Sequence, residues 1–150
     1  MRKVNMLLLA AVLMLALGQV RADAAGAARS EAPAGFRDIA WGTPVADVPG
    51  LVPVAGPEYG ETYYRNREKL VFGGVKVRSI AYYFRDGHFY GYGIVIEGEP
   101  EHFKLRQYLE GRFGPGRQIG NKHGWTWDSV SAVLTHERSD LSTFQVVNER

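Results

Sequence analysis

The dipeptide Asp86-Gly87 constrains the fold of this chain more than any other feature of the sequence. It separates two runs rich in β-branched and aromatic residues, LVFGGVKVRSIAYYFR before it, which begins at Leu70, and HFYGYGIVIEG after it. Asp-Gly between such runs is typical of a type I′ hairpin, because both central positions of that turn need positive φ angles. The sequence therefore predicts a long antiparallel hairpin with six aromatic side chains in the eleven residues 82–92.

A two-residue turn fixes the register, so the residues of the hairpin can be assigned to the two faces of the sheet. One face is predicted to carry two glycines among apolar side chains, namely Ile80, Tyr82, Phe84, Phe89, Gly91 and Gly93. Because missing side chains let another backbone approach closely, we expect the main helix to cover that face. The other face is predicted to carry the candidate binding residues, namely Tyr83, Tyr90 and Tyr92, with Arg85 and His88 beside them.

Three exposed tyrosines would present roughly 450–750 Å² of ring surface. The largest exposed patch on a typical monomer is about 300–600 Å², so we expect something to cover part of this face. The commonest cover for aromatic pairs in a sheet is the same chain, here the strands with Trp125 and Trp127. A protein partner or second copy is another, and a small ligand contacting Arg78, Arg85 and His88 is the third.

The remaining elements alternate between helices and strands. The run 36–50 predicts a first strand and a short helix, capped by the Thr43 hydroxyl with Pro44 at its first position. A longer helix is predicted from 98 to 113, and Gly114-Pro115 would end it before a mobile glycine-rich loop. Three more strands follow, so the fold class is predicted as α+β, an antiparallel sheet with helices packed on one face. The order of elements would allow a doubled α-β-β-β unit.

The first 24 residues are typical of a signal peptide. Arg2 and Lys3 precede the apolar run Met6–Leu17, and Ala22-Asp23-Ala24 provides a cleavage site with Ala25 as the mature start. About twelve apolar residues are fewer than the twenty or so that span a membrane, so no transmembrane segment is expected after cleavage. We expect a periplasmic or secreted protein with a disordered leader at 25–35 and a single α+β domain at 36–150.

Charge and cysteine content exclude several classes of function. The signal peptide contains three of the eighteen basic and one of the sixteen acidic residues, which leaves fifteen of each. A chain with no net charge lacks the basic surface that nucleic-acid binding needs, so no nucleic-acid partner is expected. The chain contains no cysteine, which excludes disulfides, catalytic thiols and a lipidated N-terminus.

No catalytic, cofactor-binding or metal-binding residues are predicted. The four histidines lie in different predicted elements without metal-ligand spacing, and Glu97, Glu99 and Glu101 fit the electrostatics of a helix start. One alternative is a small envelope hydrolase or ligand-binding enzyme whose site is assembled only in three dimensions. It would need a pocket with His123 or His136 beside a carboxylate. A purely structural protein, with neither a pocket nor an uncovered apolar patch, is the third class.

Two motifs carry a resemblance to known proteins. The segments F-R-D-I-A-W-G-T at 36–43 and Y-Y-F-R-D-G-H-F-Y at 82–90 resemble those of small exported bacterial proteins of unknown function. The order of helix and strands is similar, more distantly, to two envelope binding modules. These are the small lipoprotein of the outer-membrane barrel assembly machinery and the β-lactamase inhibitor protein. The shared motifs are structural and name no active residues, and the more distant similarity is an analogy at the level of the fold.

The leading interpretation is a non-enzymatic periplasmic binding or protein-interaction module that uses the tyrosine face of the hairpin. Its partner would be an envelope protein or a second copy of the chain. It requires Tyr83, Tyr90 and Tyr92 to be substantially exposed in the monomer.

Overall fold

The computed structural model describes residues 30–138 and 140–150. The predicted signal peptide, its cleavage site and the first part of the leader lie outside the described residues. The helix is α1 (Glu99–Phe113). The strands, in chain order, are β1 (Gly35–Phe36), β2 (Ile39–Ala40), β3 (Leu51–Pro53), β4 (Thr62–Arg65), β5 (Val71–Phe72), β6 (Val75–Lys76), β7 (Ser79–Arg85), β8 (His88–Glu97), β9 (Arg117–Ile119), β10 (Lys122–Thr126), β11 (Val130–Arg138) and β12 (Leu141–Asn148).

Eight of these strands form one antiparallel sheet in the order β3-β4-β7-β8-β12-β11-β10-β9. β1 pairs with β2 and β5 pairs with β6 in two small hairpins. The described residues therefore form a mainly antiparallel β structure with one α-helix, which agrees with an α+β fold in the coarse sense. The strand order is symmetric about the β8–β12 pair, and each half of the sheet contains four strands rather than the predicted three.

The predicted long helix is confirmed as α1. Its apolar stripe is buried through Leu105, Leu109 and Phe113, and the Gly114 N–H donates to the carbonyl of Glu110 at 2.9 Å to end it. The helix packs on one face of the sheet, which we call the core face. The β1–β2 and β5–β6 hairpins contribute Phe36, Ile39 and Val75 to the same core.

The predicted first helix is reduced to a single 3-10 turn at Val45–Asp47. Pro44 precedes that turn in an extended conformation, and the Thr43 hydroxyl donates to the Ala40 carbonyl instead of capping a helix. A strand predicted as continuous from Leu70 is divided because Gly73-Gly74 turns the chain with positive φ angles. The glycine-rich loop after α1 contains the edge strand β9.

Residues 30–35, the part of the predicted leader that the structure describes, contact the folded domain. The Trp127 indole N–H donates to the Ser30 carbonyl at 2.8 Å, and the Trp41 indole donates to the Pro33 carbonyl at 2.7 Å. Ala32 packs against the core and β1 begins at Gly35. Two tryptophans thus fix residues 30–35 to the domain.

Candidate interaction surface

The Asp86-Gly87 turn is confirmed, with φ angles of 50° and 74°. Arg85 pairs with His88 and Phe84 with Phe89, as the two-residue turn requires. Beyond this point the predicted register is wrong. A bulge makes Tyr90 an additional residue of β8, so that Tyr83 pairs with Gly91 and Tyr82 with Tyr92.

The bulge reconciles two demands of the core. Phe89 must lie opposite Phe84, which places odd-numbered residues of β8 on the core face near the turn. Farther along, Ile94 and Ile96 are fully buried in the core, so even-numbered residues must lie there. Because side chains alternate along a strand, the change needs one extra residue, which a bulge supplies.

Tyr92 consequently belongs to the core rather than to a binding surface. Its ring stacks on Phe36 with centroids 3.9 Å apart and an interplanar angle of 19°, and Trp41 lies 6.3 Å away. The Tyr92 side chain is 3% exposed, and burial raises the pKa of its hydroxyl. The prediction that Tyr92 is exposed is therefore wrong. Gly91 and Gly93 move to the opposite face, where they were not expected.

The other four predicted residues are brought together on the second face of the sheet, which we call the helix-free face. Arg85 and His88 lie side by side at the turn, and the Arg85 guanidinium is 4.2 Å from the centroid of the Tyr90 ring. The Tyr90 ring is 6.3 Å from that of Tyr83. Tyr90 is half-buried, whereas Tyr83 is only 5% exposed, so the prediction of exposure is also wrong for Tyr83.

Sequence reasoning missed Tyr64 as a fifth residue of this surface. β4 pairs with β7 through Thr62 and Tyr83, so Tyr64 points to the helix-free face while Tyr63 packs towards the core. Tyr64 is 36% exposed. The alternation in TYYR was a sufficient signal, because two adjacent tyrosines in a strand must face opposite sides. We define the tyrosine surface as Tyr64, Tyr83, Arg85, His88 and Tyr90.

The rest of the helix-free face is built from small and β-branched residues. One row crosses six strands through successive pairs, namely Thr62, Tyr83, Gly91, Val147, Ser131 and Thr126. Tyr83, Val133, Leu141 and Val147 are buried, yet none of them belongs to the cluster beneath α1. The sheet thus has two apolar sides, with the described helix and both small hairpins on the core face.

A polar network closes the outer end of the core face. The Tyr82 hydroxyl donates to the Glu68 carboxylate, which also accepts from the Arg37 guanidinium at 3.0 Å. Burial raises the pKa of the Glu68 carboxyl despite this cation. Arg37 also donates to the carbonyls of Lys69 and Val71. Arg37 of the F-R-D-I motif therefore has a structural role.

One polar contact in the core resembles a catalytic pair. His102 Nδ1 lies 2.8 Å from the Ser142 hydroxyl, and the His102 and His136 ring centroids are 4.5 Å apart. A hydroxyl beside an imidazole is how nucleophiles are activated, but such a site must also admit a substrate. Ser142 is 2% exposed and His102 7%. A pocket elsewhere in the described residues is lined by Ala32, Trp127, Asp128, Ser129 and Arg150.

His123, one of the two histidines named for the enzymatic alternative, is buried and lies beside a carboxylate. Its Nε2 lies 2.6 Å from the Pro115 carbonyl oxygen and 3.7 Å from the Glu110 carboxylate. The imidazole is thus used to fasten the loop after α1. Within residues 30–138 and 140–150, no group of three or more metal-ligating side chains is clustered.

Two further observations concern membrane-spanning helices and similarity to known proteins. Among the described residues, no helix is both long enough and apolar enough to cross a membrane. Comparisons with protein-family models, with curated proteins and with solved structures find no match.

Proposed function

We propose that this chain is an exported, non-enzymatic binding module that docks a protein partner through the tyrosine surface. The observation that supports this proposal most directly is the stacking of the Arg85 guanidinium on the Tyr90 ring, on the face of the sheet opposite α1. The resemblance of the 36–43 and 82–90 motifs to small exported proteins agrees with this proposal. Export itself is proposed on the signal-peptide pattern of residues 1–24.

The exposed part of the surface has the composition of an interface centre. Tyrosine and arginine are enriched among the residues that dominate binding energies, because they combine a large apolar area with polar tips. Tyr64 and Tyr90 supply the accessible rings, while Tyr83 lies buried beside Tyr90. Stacking on Tyr90 restricts the Arg85 side chain, so less conformational entropy is lost when it binds.

The chemistry of the partner follows from Arg85. Its guanidinium forms no ion pair with any of the described residues. A guanidinium presents a planar fork that fits a carboxylate, and the adjoining rings favour an apolar side chain. We therefore expect a protein segment that carries an aspartate or glutamate next to an apolar residue.

Photo-crosslinking can test this proposal in the producing cells. A photoreactive phenylalanine analogue is placed at Tyr64 or Tyr90, and at Phe103 as the matched control. Phe103 is an aromatic residue of α1 that is 54% exposed. We expect adducts with one protein from positions 64 and 90 but not from 103, and the crosslinked peptide should contain an acidic residue.

Substitution of the cation makes the experiment specific. Arg85→Gln should reduce the adduct from position 90 by about tenfold if one charged hydrogen-bonded pair is lost. Adducts between two copies of the chain would identify a second copy as the occupant. Equal labelling from all three positions, or none from 64 and 90, would contradict the proposal.

We further propose that the two halves of the sheet derive from one helix-plus-strands unit. The symmetric strand order about β8 and β12 supports this. In the first half the 3-10 turn Val45–Asp47 stands where the second half has α1. Fragments 1–98 and 99–150, co-expressed as two chains, should then associate into the folded sheet, and failure to associate would count against this proposal.

A further inference from the structure

The start of α1 is fastened to the β11–β12 hairpin by a small polar cluster. The Gly98 N–H donates to the Asp140 carbonyl at 2.9 Å. One turn further, His102 Nδ1 and the Ser142 hydroxyl are 2.8 Å apart, and both side chains are buried. The His102 ring also lies against His136 of β11, with 4.5 Å between centroids and 34° between planes. The docking of this helix end thus depends on a group that can take up a proton.

We propose that the His102–His136 ring pair is a pH-sensitive latch, which holds the first two turns of α1 on the β11–β12 hairpin and releases them on acidification. Two uncharged imidazoles can pack face to face. Two imidazolium ions at the same separation repel each other, and they do so strongly where the surroundings exclude water. The latch belongs to the core face and does not rest on the proposed tyrosine surface.

The charges around the pair oppose protonation on balance. Glu99, in the first turn of α1, favours the charged form of His102. His136 of β11, Arg106 of α1 and His123 of β10 oppose it, and Ser142 of β12 carries no charge.

Burial and these neighbours act in the same direction. Burial, followed by His136 and Arg106, lowers the pKa of His102 from its ordinary value of about 6.5. The detached and unfolded forms then bind more protons than the docked form below about pH 6.5. The docked state therefore keeps its stability above that pH and loses it as the pH falls through the lowered pKa. An unprotonated Nδ1 can accept the Ser142 proton, whereas in the imidazolium the Nδ1–H can only donate to the Ser142 oxygen.

Hydrogen exchange of the full-length chain, followed by mass spectrometry, tests the latch. Peptides covering 99–106 should exchange several-fold faster at pH 5.5 than at pH 7.5 after correction for the chemical rate, because the detached form binds more protons than the docked form. The end of α1, residues 107–113, should change much less. His136→Gln should reduce the pH response and His102→Gln should abolish it.

His88→Gln is the matched control, because His88 is exposed at the hairpin turn and should leave the response intact. Equal exchange of 99–106 at the two pH values in the wild type would overturn the proposal, as would a full response in folded His102→Gln. If the His102 variant does not fold, imidazole titration of the wild type by NMR decides. A pKa of His102 below 6.5 supports the latch, and one at or above 6.5 overturns it.

Discussion

The two sides of the β7–β8 hairpin carry the same residue type in different roles. On the core face, Tyr82 and Tyr92 are almost fully buried, and both contact Phe36. On the helix-free face, Tyr90 is half-buried and its ring carries the Arg85 guanidinium. A tyrosine in a strand is therefore assigned to core or surface by the parity of its position, and one bulge residue is enough to exchange the two.

The hairpin is also held near its turn by the segment that precedes it in the chain. The N-terminal segment lies along it through backbone bonds: the Gly42 N–H donates to the Phe89 carbonyl, and the Phe89 N–H to the Thr43 carbonyl. The Val45 N–H donates to the Gly87 carbonyl in the same way. The two motifs that resemble those of exported proteins thus meet in one structural unit. We expect substitutions on the two sides to differ most in their effect on stability.

The largest effect is expected for Tyr92→Ala. The substitution removes a buried ring that stacks on Phe36 and lies near Trp41, and leaves a cavity. The free energy of unfolding, measured by urea denaturation, should fall by about 3–5 kcal/mol. Tyr92→Phe is the control and should cost less than about 1.5 kcal/mol, because the ring remains. A loss below about 1 kcal/mol for the alanine variant would show that the two sides do not differ.

Arg37→Met sharpens the comparison at the polar end of the core face. The methionine keeps an apolar stem but leaves the buried Glu68 carboxylate without its cation. The free energy of unfolding should fall by about 2 kcal/mol at pH 7. This is less than is usual for breaking a buried ion pair, because Arg37 is partly exposed. Arg78→Met is the control, since the Arg78–Glu97 pair is exposed on both sides and should cost under about 0.5 kcal/mol.

The cost of Arg37→Met should depend on pH. Burial already raises the pKa of Glu68, and loss of the cation raises it further. The folded variant then binds a proton more readily than its unfolded form, so acidification stabilises it relative to the wild type. Urea denaturation at pH 7 and pH 4.5 should show a smaller difference at the lower pH. A difference that grows on acidification would contradict this account of Glu68.

Local sequence signals predicted some elements well and others only in part. The Asp-Gly turn and α1 depend on residues close together in the chain, so both were predicted with their boundaries. The register beyond Phe84 was not, because a two-residue turn specifies only the pairs nearest to it. Phe89 and Ile94 are five residues apart, so a regular strand cannot place both side chains on the core face. This conflict was visible in the sequence, and it would have predicted the bulge and the burial of Tyr92.

Other features depend on contacts distant in sequence. The hydrogen bond between the Trp127 indole and the Ser30 carbonyl joins residues nearly a hundred positions apart, and no local pattern in the sequence indicates it. The same holds for the His102–Ser142 contact, which joins α1 to the last strand. Four of the five predicted binding residues do share one face. Arg85 and His88 pair directly beside the turn, and Tyr83 and Tyr90 each lie two residues farther along their strands. Tyr92 lies beyond the bulge and was misplaced for that reason.

Gly91→Ala tests how closely the helix-free face is packed beside the bulge. An added Cβ would lie 2.9 Å from the Val146 carbonyl oxygen and 2.9 Å from Val147 Cγ1. Since backbone must shift to admit it, we expect a loss of about 1–2 kcal/mol in thermal or urea unfolding. Gly111→Ala is the matched control. Nothing lies within 4 Å of its added Cβ, so that helix substitution should stabilise by roughly 0.5–1 kcal/mol.

The smallest effect on stability is expected for Tyr90→Ser. Tyr90 is the additional residue of the bulge, its ring is half-buried, and the stack with Arg85 stands at the surface. Loss of that stack should lower the free energy of unfolding by about 1 kcal/mol at most. Crosslinking from position 64 to a partner should nevertheless fall strongly, because Tyr90 supplies accessible ring area and positions Arg85.

The combination of a stable fold and lost crosslinking distinguishes a docking surface from a second core. Phe103→Ser is a comparable truncation on the exposed side of α1, which lies on the opposite face of the sheet from the tyrosine surface. It should change neither the free energy of unfolding nor the crosslinking yield. A loss of several kcal/mol in Tyr90→Ser would place Tyr90 with Tyr92 as a structural ring. The hairpin would then be apolar on both sides for packing alone, and the proposed docking surface would lose its basis.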